Sequence, residues 1–410
     1  MYNIFSENKK KLQHFYKGYD LASILSFDIA FLSYGNSYSL LKEIIKIFLV
    51  RDIRPPLINS NVFFSMGPYG ERKDYYEILD YVMSQVGVKD YFNIGGCKYK
   101  PGFSVTGFLF SIKYVFFKKL NLSFKSRLLL FSRMQHYYNT IDYLIKNKSD
   151  FKYDKYCGFC TAHPYECILN NYFRLRNIET YTLQHGLYVF SDSPQMDVIA
   201  FDNMVSDYVL CWGEYTANEF LKSGLSAEKI KISGYPRYTK KLKPYKIPGP
   251  YRIIFLCARR VYDETNKKIM EIIGSIKSEM NISVSIKIHP SLDKQKYKDL
   301  CECLSFDFYD EGTVSEALSS GGYDIVVTYN SSAYFDAYIG NRVALKYVDK
   351  MNDIFIDITD DNFSNSDELN EAINRVISSS NNQQTWTTIS AKLSSSVGFE
   401  LNNYQRLLGK

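Results

Sequence analysis

The chain has 410 residues and a formal net charge of +6, with 46% hydrophobic, 23% charged and 16% aromatic residues. A chain of this length is expected to form two domains, and its composition is typical of a globular protein and excludes a disordered one. The positive charge is mild. It suits an anionic small molecule or a membrane surface better than nucleic acid, for which a concentrated basic stripe is expected.

The sequence also bears on location and on metal binding. The N-terminus lacks the apolar core of a secretory signal, and no run approaches about 18 uninterrupted apolar residues, so neither a signal peptide nor a membrane span is expected. The eight cysteines are scattered, which favours a reducing cytoplasm. Cys157, Cys160, His163 and Cys167 lie close together, but their spacing is tight and no distant second pair follows. We interpret them as buried small residues and predict no metal site.

The first 150 residues are predicted to contain a strand and several helices. Residues 27–35 have the pattern of a buried strand, and residues 37–49 and 72–87 have helical spacing. Residues 107–133 are apolar, aromatic and basic together, which predicts a helical hairpin buried in the first domain. A second interpretation of this segment is a surface that rests on an anionic membrane. The residues of that surface would be Phe116, Phe117, Lys118, Lys119, Lys125 and Arg127.

From residue 154 onward, strand and helix patterns alternate. The unit that begins with a strand at 155–162 continues with a helix at 163–177 and a strand at 178–186. Such a βαβ unit implies a parallel sheet. Further strands and helices continue the alternation as far as residue 238. We therefore predict a Rossmann-like first domain over residues 1–238.

A second alternating series follows a proline-rich segment. Residues 239–250 contain three prolines and several lysines without periodicity, and we predict a linker there. Residues 251–385 then predict a second Rossmann-like domain. The chain has neither a G-x-G-x-x-G fingerprint nor a P-loop, so hydride transfer and P-loop nucleotide hydrolysis lose support. An apolar stripe predicts a C-terminal helix over residues 386–410 that packs back on the first domain. The stripe consists of Trp386, Ile389, Leu393, Val397, Leu401 and Tyr404.

Four polar clusters fall where predicted strands end. Ligands bind at the carboxyl ends of strands in open α/β sheets, and two domains that face a central cleft would bring the four clusters together. The clusters are Gln184-His185-Gly186, Arg259-Arg260, His289-Pro290 and Asn330-Ser331-Ser332.

The three clusters of the second domain have the chemistry of a nucleotide site. Ser331 and Ser332 precede a predicted helix, whose free N–H groups and these hydroxyls suit a phosphate. Asp336, one turn further on, is predicted to accept hydrogen bonds from a ribose. His289 before Pro290 can donate to a base or a phosphate, and Lys287 adds positive charge. The paired Arg259 and Arg260 suit a diphosphate.

The cluster of the first domain is the candidate for acid–base chemistry. An exposed imidazole at His185 has a pKa near neutrality, which suits a general base that deprotonates an acceptor hydroxyl. Gly186 permits a sharp turn or the close approach of a ligand. Asp192, Asp197 and Glu214 are nearby acids that can orient or replace the imidazole. Gln184, Gly186, Glu214 and Tyr235 are predicted to form or support the acceptor side.

Residues 155–349 resemble GT-B glycosyltransferases. The resemblance lies in "CWGEYTANEFLKSGLSAEKIKISGYPRY", "IKIHP" and "TYNSSAYFDAYIGNRVALKY". It points to bacterial surface-polysaccharide enzymes around the CDP-glycerol glycerophosphotransferases and the capsule sialyl- and Kdo-transferases. It implies that His289-Pro290 and Ser331-Ser332 hold the nucleotide and its phosphate, and that His185-Gly186 carries the catalytic base. The sialyltransferases place an acidic-acidic-Gly motif in the first domain, whereas this chain has "DEG" only at residues 310–312.

The resulting expectation is a two-domain, metal-independent glycosyltransferase without a resident cofactor. It would move a sugar from a nucleotide-activated donor to a hydroxyl of a capsule, O-antigen or teichoic-acid-like polymer. The expected partners are a nucleotide-sugar donor and an oligosaccharide or lipid-linked glycan acceptor, with no nucleic acid. The expected location is the cytoplasm, as a possible peripheral protein of the inner membrane face. The alternatives are a CDP-polyol phosphotransferase, a UDP-sugar 2-epimerase and a non-catalytic nucleotide-sugar-binding subunit.

Overall fold

The chain forms two compact α/β units. The computed structural model describes residues 1–57, 60–69, 72–147, 152–190, 199, 203–239, 241–247, 249–309, 312–320, 322–349, 358–359 and 362–409. Unit 1 consists of Met1–Trp212, Thr216–Pro236 and Asn402–Lys410, and unit 2 of Gly213–Tyr215 and Arg237–Leu401. Within the described residues each unit contains a six-stranded sheet whose paired strands are all parallel. The predicted α/β class with two Rossmann-like domains is confirmed.

Unit 1 is rich in helices. Its described helices are α1 Tyr2–Lys11, α2 Leu21–Ile24, α3 Ser26–Ser33, α4 Leu40–Ile45, α5 Lys73–Val86, α6 Val105–Phe116, α7 Phe124–Lys146, α8 Pro164–Arg174, α9 Glu214–Lys222 and, at the C-terminus, α16 Tyr404–Leu408. Its strands are β1 Phe15–Tyr16, β2 Tyr19–Asp20, β3 Leu49–Arg51, β4 Val62–Met66, β5 Phe92–Asn93, β6 Tyr99–Pro101, β7 Lys155–Gly158, β8 Glu179–Leu183, β9 Tyr208–Cys211 and β10 Ile230–Ile232. Short 3-10 turns lie at Lys46–Phe48, Ile94–Gly96 and Ala227–Lys229.

The large sheet of unit 1 has the strand order β5-β4-β7-β8-β9-β10. All five residues of β4 are buried, and β4 pairs with β5 on one side and β7 on the other. The chain winds outward from β4 in one direction to β5 and then in the other direction from β7 to β10. The carboxyl ends of β4 and β7 therefore form a topological switch point, the place where open α/β sheets bind ligands.

Two sequence predictions for the first domain need correction. The strand predicted at residues 27–35 is wrong, because this segment forms helix α3. A short apolar run does not distinguish a buried strand from a buried helix. Asp28 is fully buried in α3, where its carboxylate accepts hydrogen bonds from Arg133 Nε at 2.8 Å and Tyr137 Oη at 2.8 Å. Strand β4 was not predicted, although it is an interior strand of the sheet, between β5 and β7.

Other predictions for unit 1 are confirmed. The helix predicted at residues 72–87 is α5, which ends at Gly87 with a left-handed φ of 73°. The helix predicted at 37–49 is α4 with the 3-10 turn after it. The predicted helical hairpin consists of α6 and α7, whose N-caps Ser104 and Ser123 accept backbone hydrogen bonds from Gly107 and Ser126. Its predicted burial holds for most of α7, whereas α6 is only partly buried.

Unit 2 follows the predicted alternation. Its strands are β11 Tyr251–Leu256, β12 Ile282–Lys287, β13 Asp307–Tyr309, β14 Ile325–Thr328, β15 Val343–Tyr347 and β16 Asn362–Phe363. Its described helices are α10 Asp263–Met280, α11 Lys294–Leu304, α12 Val314–Ser320, α13 Ala333–Ile339, α14 Ser366–Ser379 and α15 Gln383–Val397, with a 3-10 turn at Arg260–Tyr262. The strand order is β13-β12-β11-β14-β15-β16, so the switch point of this sheet lies between β11 and β14.

The predicted linker belongs to unit 2, and the predicted single C-terminal helix is two helices. Residues 241–247 belong to unit 2, where Tyr245 donates its backbone N–H to Ser380 O at 2.9 Å and its hydroxyl to Asp324 O at 2.8 Å. The C-terminal segment forms two helices instead of one, because α15 ends at Gly398, whose φ is 74°. The last nine residues belong to unit 1, where Tyr404 Oη donates to Gly234 O at 2.8 Å. No helix of the described ranges combines the length and the apolarity that crossing a bilayer requires.

Candidate active site

A buried asparagine holds the loop that follows β11. Asn266 on α10 is fully buried, and its side chain accepts a hydrogen bond from Ala258 N and donates one to Ala258 O, both at 2.9 Å. Cys257 N donates to Lys287 O at 2.9 Å, which ties the end of β11 to the end of β12. Arg259 and Arg260 follow this clamp directly. Asn266 was not predicted from the sequence, where its only signal is an amide on the buried face of a helix.

His289 is oriented by its neighbour Ser291. The N–H of Ser291 donates to His289 Nδ1 at 3.1 Å, and Ser291 Oγ lies 2.8 Å from the same nitrogen. Arg260 N donates in turn to Ser291 Oγ at 3.1 Å. Because Nδ1 accepts from a backbone N–H, the neutral imidazole carries its proton on Nε2. The ring is therefore arranged as a hydrogen-bond donor at the carboxyl end of β12, beside the loop that carries the two arginines.

The loop after β14 is tied to the same place. Asn330 has a left-handed φ of 42°, and its Nδ2 donates to Tyr262 Oη at 2.5 Å. Tyr262 ends the 3-10 turn that begins at Arg260, and the guanidinium of Arg259 lies 5.7 Å from the centre of its ring. The loops after β12, β11 and β14 are thus joined by hydrogen bonds. The structure brings the three predicted clusters of the second domain together at the switch point.

The other residues predicted for the nucleotide site have contacts of their own. Ser331 Oγ accepts from Ala333 N, the first backbone N–H of α13, at 3.2 Å, and α13 has only seven residues. Asp336 lies 3.7 Å from Arg237 Nε. Lys287 Nζ donates to Gly312 O at 2.6 Å and lies 4.8 Å from the centre of the Tyr309 ring. Ser332, at the N-cap, makes no side-chain capping hydrogen bond, and Pro290 is exposed.

Gln184 holds together the ends of β8 and β9 in unit 1. Its Oε1 accepts from Trp212 N at 2.8 Å, and its backbone carbonyl accepts from Trp212 Nε1 at 2.9 Å. Its Nε2 donates to Gly186 O and to Thr216 Oγ1, both at 3.0 Å. Tyr235 meets the Trp212 ring edge-on, with 4.9 Å between the ring centres. Gln184 and Tyr235 therefore support the loop that carries His185.

The imidazole of His185 lies among aromatic rings. The centre of its ring is 5.2 Å from that of Phe159 and 5.6 Å from that of Tyr75, and its Nδ1 is 3.5 Å from Leu183 O. Burial lowers the pKa of His185 to about 4. This corrects the expectation of an exposed imidazole with a pKa near neutrality. The ring is neutral at pH 7, and burial makes it a weaker base than an exposed imidazole.

A buried carboxylate that sequence analysis missed lies at the switch point of unit 1. Glu166, in the first turn of α8, is fully buried and accepts from Phe159 N at 2.8 Å and Cys160 N at 3.2 Å. The hydroxyls of Ser65, at 3.2 Å, and of Tyr69 donate to the same carboxylate. Burial is the largest influence on Glu166 and raises its pKa to about 7, although the hydrogen bonds act in the opposite direction. Glu166 joins the loops after β4 and β7.

His163 lies beside this carboxylate group. Its ring centre is 5.3 Å from that of Tyr69, and burial lowers its pKa to about 3. Within the described residues its buried Nδ1 has no hydrogen-bond partner. Tyr69 is also 5.7 Å, centre to centre, from Phe159, which contacts His185. One group of side chains therefore lies at the carboxyl ends of β4, β7 and β8. It consists of Tyr69, Phe159, His163, Glu166 and His185.

The cysteines near His163 are buried. Burial raises the pKa of the Cys160 thiol to about 12, and it also raises the pKa of the Cys157 and Cys167 thiols. In the part of the chain that the structure describes, no three His, Cys, Asp or Glu side chains are placed to share a metal ion. Glu214 is exposed at the first residue of α9. Asp192, Asp197, Asp310 and Glu311 lie outside the described residues.

Comparisons with known proteins find similarity of fold. The sequence matches no protein-family model and no curated protein. A glycosyltransferase from Rickettsia africae ESF-5 is 11% identical, with a TM-score of 0.49 and coverage of 86% of this chain and 99% of that chain. UDP-GlcNAc 2-epimerase from Neisseria meningitidis, bound to UDP-GlcNAc, is 13% identical, with a TM-score of 0.47 and coverage of 85% and 98%. HepE from Anabaena, in complex with UDP-glucose, is 10% identical, with a TM-score of 0.47 and coverage of 85% and 95%.

Proposed function

We propose that the protein is a GT-B-type glycosyltransferase that moves a sugar from a nucleotide-activated donor to a hydroxyl of a cell-surface glycan. The observation that carries the proposal is the linked set of loops at the switch point of unit 2. Two arginines, an oriented imidazole and an asparagine follow three adjacent parallel strands there. Donors of this kind suit a nucleoside diphosphate, whose phosphates need several hydrogen-bond donors and positive charge.

Each unit has a separate task in this proposal. In unit 2, Arg259, Arg260 and His289 Nε2–H stabilise the negative charge that develops on the departing diphosphate. Ser331 and Ser332 contact the phosphates through the loop that follows β14. In unit 1, the neutral imidazole of His185 takes the proton of the acceptor hydroxyl as the new glycosidic bond forms. We propose no resident metal, because cationic side chains meet the charge of the leaving group.

The finer features of the proposal are the acceptor and the location. We propose that the acceptor is an oligosaccharide or a lipid-linked glycan of a capsule, O-antigen or teichoic-acid-like polymer. The enzyme then works at the cytoplasmic face of the plasma membrane, where a lipid-linked acceptor is anchored.

Nucleotide binding is the first test. We expect one of CMP, CDP, UDP, GDP or dTDP, at about 100 times its Kd, to raise the stability of unit 2 by about 2.7 kcal/mol. For a unit of this size, such a change raises Tm by roughly 5 °C or more. The measurement is a thermal-shift series over the five nucleotides.

A pair of variants makes this test specific. Arg259→Ala together with Arg260→Ala is expected to reduce the shift by more than half. Arg375→Ala, which removes a half-exposed arginine from α14, leaves the shift unchanged. Equal shifts in both variants would contradict the assignment of the arginines, and no shift with any nucleotide would contradict the whole site.

The reaction products distinguish a glycosyltransferase from the alternative functions that share its fold. Mass spectrometry of the acceptor shows a hexose-type increment for sugar transfer and a polyol-phosphate increment for a phosphotransferase. A 2-epimerase interconverts the nucleotide sugar without any acceptor. A non-catalytic subunit binds the nucleotide sugar and changes neither substrate.

A further inference from the structure

Helix α4 and the 3-10 turn after it expose their apolar side. Leu41, Ile44, Ile45 and Phe48 follow the i, i+3, i+4, i+7 spacing of one helix face, and each is between 40% and 71% exposed. The opposite side buries Glu43, which forms a salt bridge with Lys46 at 2.7 Å. A surface helix of a globular protein ordinarily buries its apolar stripe and exposes its charges. This segment instead exposes four apolar residues, while Leu40 and Ile47 on its other side pack against the core.

The exposed stripe continues onto the beginning of α6. Phe48 stacks on Phe103 with 5.8 Å between ring centres, and Gly102 N donates to Phe48 O at 3.0 Å. Val105 and Leu109, one turn apart on α6, are more than 60% exposed. We call this set the apolar face. It consists of Leu41, Ile44, Ile45, Phe48, Phe103, Val105 and Leu109.

The apolar face is supported by packed aromatic side chains. Phe108, on the inner side of α6, packs against Phe103 at 5.5 Å and against Phe131 of α7 at 5.7 Å, centre to centre. Contiguous exposed apolar residues on a well-packed support indicate an interaction surface, in contrast to single exposed residues, which are ordinary.

The C-terminal end of α6 and the turn that follows it are cationic. Residues 91–141 contain eight Lys or Arg and no Asp or Glu. Lys113, Lys118, Lys119 and Lys125 are exposed and form no salt bridge with any described residue. Phe117 and Phe124, at the turn between α6 and α7, are at least 70% exposed.

The structure also corrects two residues of the membrane surface predicted from the sequence. Phe116 packs against Phe131, with 5.6 Å between ring centres, and is only partly exposed. The guanidinium of Arg127 donates to Leu120 O at 2.5 Å and to Leu122 O at 3.3 Å. Phe116 and Arg127 therefore belong to the packing of the hairpin.

We infer that the apolar face, together with the exposed lysines at the C-terminal end of α6, forms a docking surface for an anionic lipid bilayer. A bilayer presents both of the chemistries that this surface needs, an apolar boundary for the leucine, isoleucine and phenylalanine side chains and anionic headgroups for the lysines. A second copy of the chain fits less well, because a two-fold interface would place lysines against lysines. The inference rests on the proposed function only in its choice of the inner membrane face.

Vesicle flotation tests this surface directly. The full-length protein is expected to float with phosphatidylcholine vesicles that contain about one third phosphatidylglycerol, and to bind pure phosphatidylcholine at least tenfold more weakly. Salt at about 0.5 M should weaken binding, because it screens the attraction of exposed lysines to headgroups. Replacing Lys113, Lys118 and Lys119 with Gln is expected to weaken binding by about fivefold for each lysine.

Apolar variants test the other half of the surface. Ile45→Ser with Phe48→Ser and Leu109→Ser is expected to lower vesicle binding at least tenfold. The matched control, Leu175→Ser with Leu221→Ser, removes exposed apolar residues elsewhere in unit 1 and leaves binding unchanged. Equal binding by both variants would overturn the inference. So would failure of the wild type to float, or a concentration-dependent dimer that the triple variant abolishes.

Vesicle binding and sugar transfer test the docking surface and the proposed function separately. The triple variant is expected to transfer sugar to a short soluble acceptor at the wild-type rate, whereas His185→Ala floats like the wild type. Vesicle binding without any transfer activity would leave the docking surface standing and contradict the transferase. Transfer activity without vesicle binding would do the opposite.

Discussion

Replacing His185 with alanine is expected to lower kcat roughly 100- to 10,000-fold, the range that a positioned general base contributes. The reason is that the acceptor hydroxyl loses the neutral imidazole that accepts its proton. Donor binding is expected to stay unchanged, because the nucleotide-binding groups belong to unit 2. Steady-state kinetics and a nucleotide thermal shift on the same variant measure the two effects separately.

The pH profile gives this prediction a second readout. The pKa of His185 is lowered to about 4 by burial, so the imidazole is mostly unprotonated above about pH 5. In the pH profile of kcat/KM, we therefore expect the acid-side inflection to lie well below pH 6.5, the ordinary pKa of histidine. Tyr75→Phe, which keeps the ring against His185, serves as the control and retains most of the activity. Full activity in a folded His185→Ala protein would rule out His185 as the base, and Glu214→Gln is then the next variant to measure.

Replacing Glu166 with alanine is expected to destabilise unit 1 by roughly 2–4 kcal/mol. Two backbone N–H groups, of Phe159 and Cys160, and the hydroxyls of Ser65 and Tyr69 would lose their shared acceptor in a buried site. A buried donor left without a partner costs about 1–3 kcal/mol. Urea unfolding measures the change. Glu219→Ala is a matched control, because Glu219 is also buried but accepts from a single backbone N–H, that of Phe190, and from Lys222. Its expected loss is smaller.

The variant Glu166→Gln tests the same group through pH. The folded pKa of Glu166 is about 7, above its ordinary value of 4.5, so the folded state holds a proton between these pH values that the unfolded state releases. The stabilisation from this group is therefore complete below pH 4.5 and is lost as pH rises through 7. We expect the stability of the wild type to fall relative to that of Glu166→Gln by roughly 1.4 kcal/mol per pH unit in this window. Urea unfolding of both proteins at pH 5, 6, 7 and 8 measures the difference.

The comparison between the two proteins isolates Glu166 from the buried histidines. Burial lowers the pKa of His136 and of His163 to about 3, so their contribution is complete above pH 6.5 and is lost as pH falls. This trend has the opposite sign and is common to both proteins. A constant difference between wild type and Glu166→Gln from pH 5 to pH 8 would contradict the raised pKa.

The sequence predicts those features that depend on one element and its neighbours along the chain. The alternation of strands and helices after residue 154 was predicted correctly, because a parallel sheet covered by helices needs apolar strands and amphipathic helices. Strand-end placement also predicted that the loops of Arg259, His289 and Asn330 lie together, as the structure places them. The carboxyl ends of parallel strands meet at one edge of a sheet, so their sequence positions suffice to predict that these residues lie close together.

Tertiary structure decides the contact partners and the pKa of individual side chains. The pattern of residues 27–35 did not distinguish α3 from a strand, because the helix is buried and Asp28 has its partner Arg133 about a hundred positions away. His185 is covered by Phe159 and Tyr75 from other segments, and Glu166 collects donors from two loops. A pKa depends on burial and on neighbouring groups in space, which a linear sequence does not contain. The sequence therefore determined the architecture and the place of the candidate site, and packing determined which of its groups can exchange a proton near neutral pH.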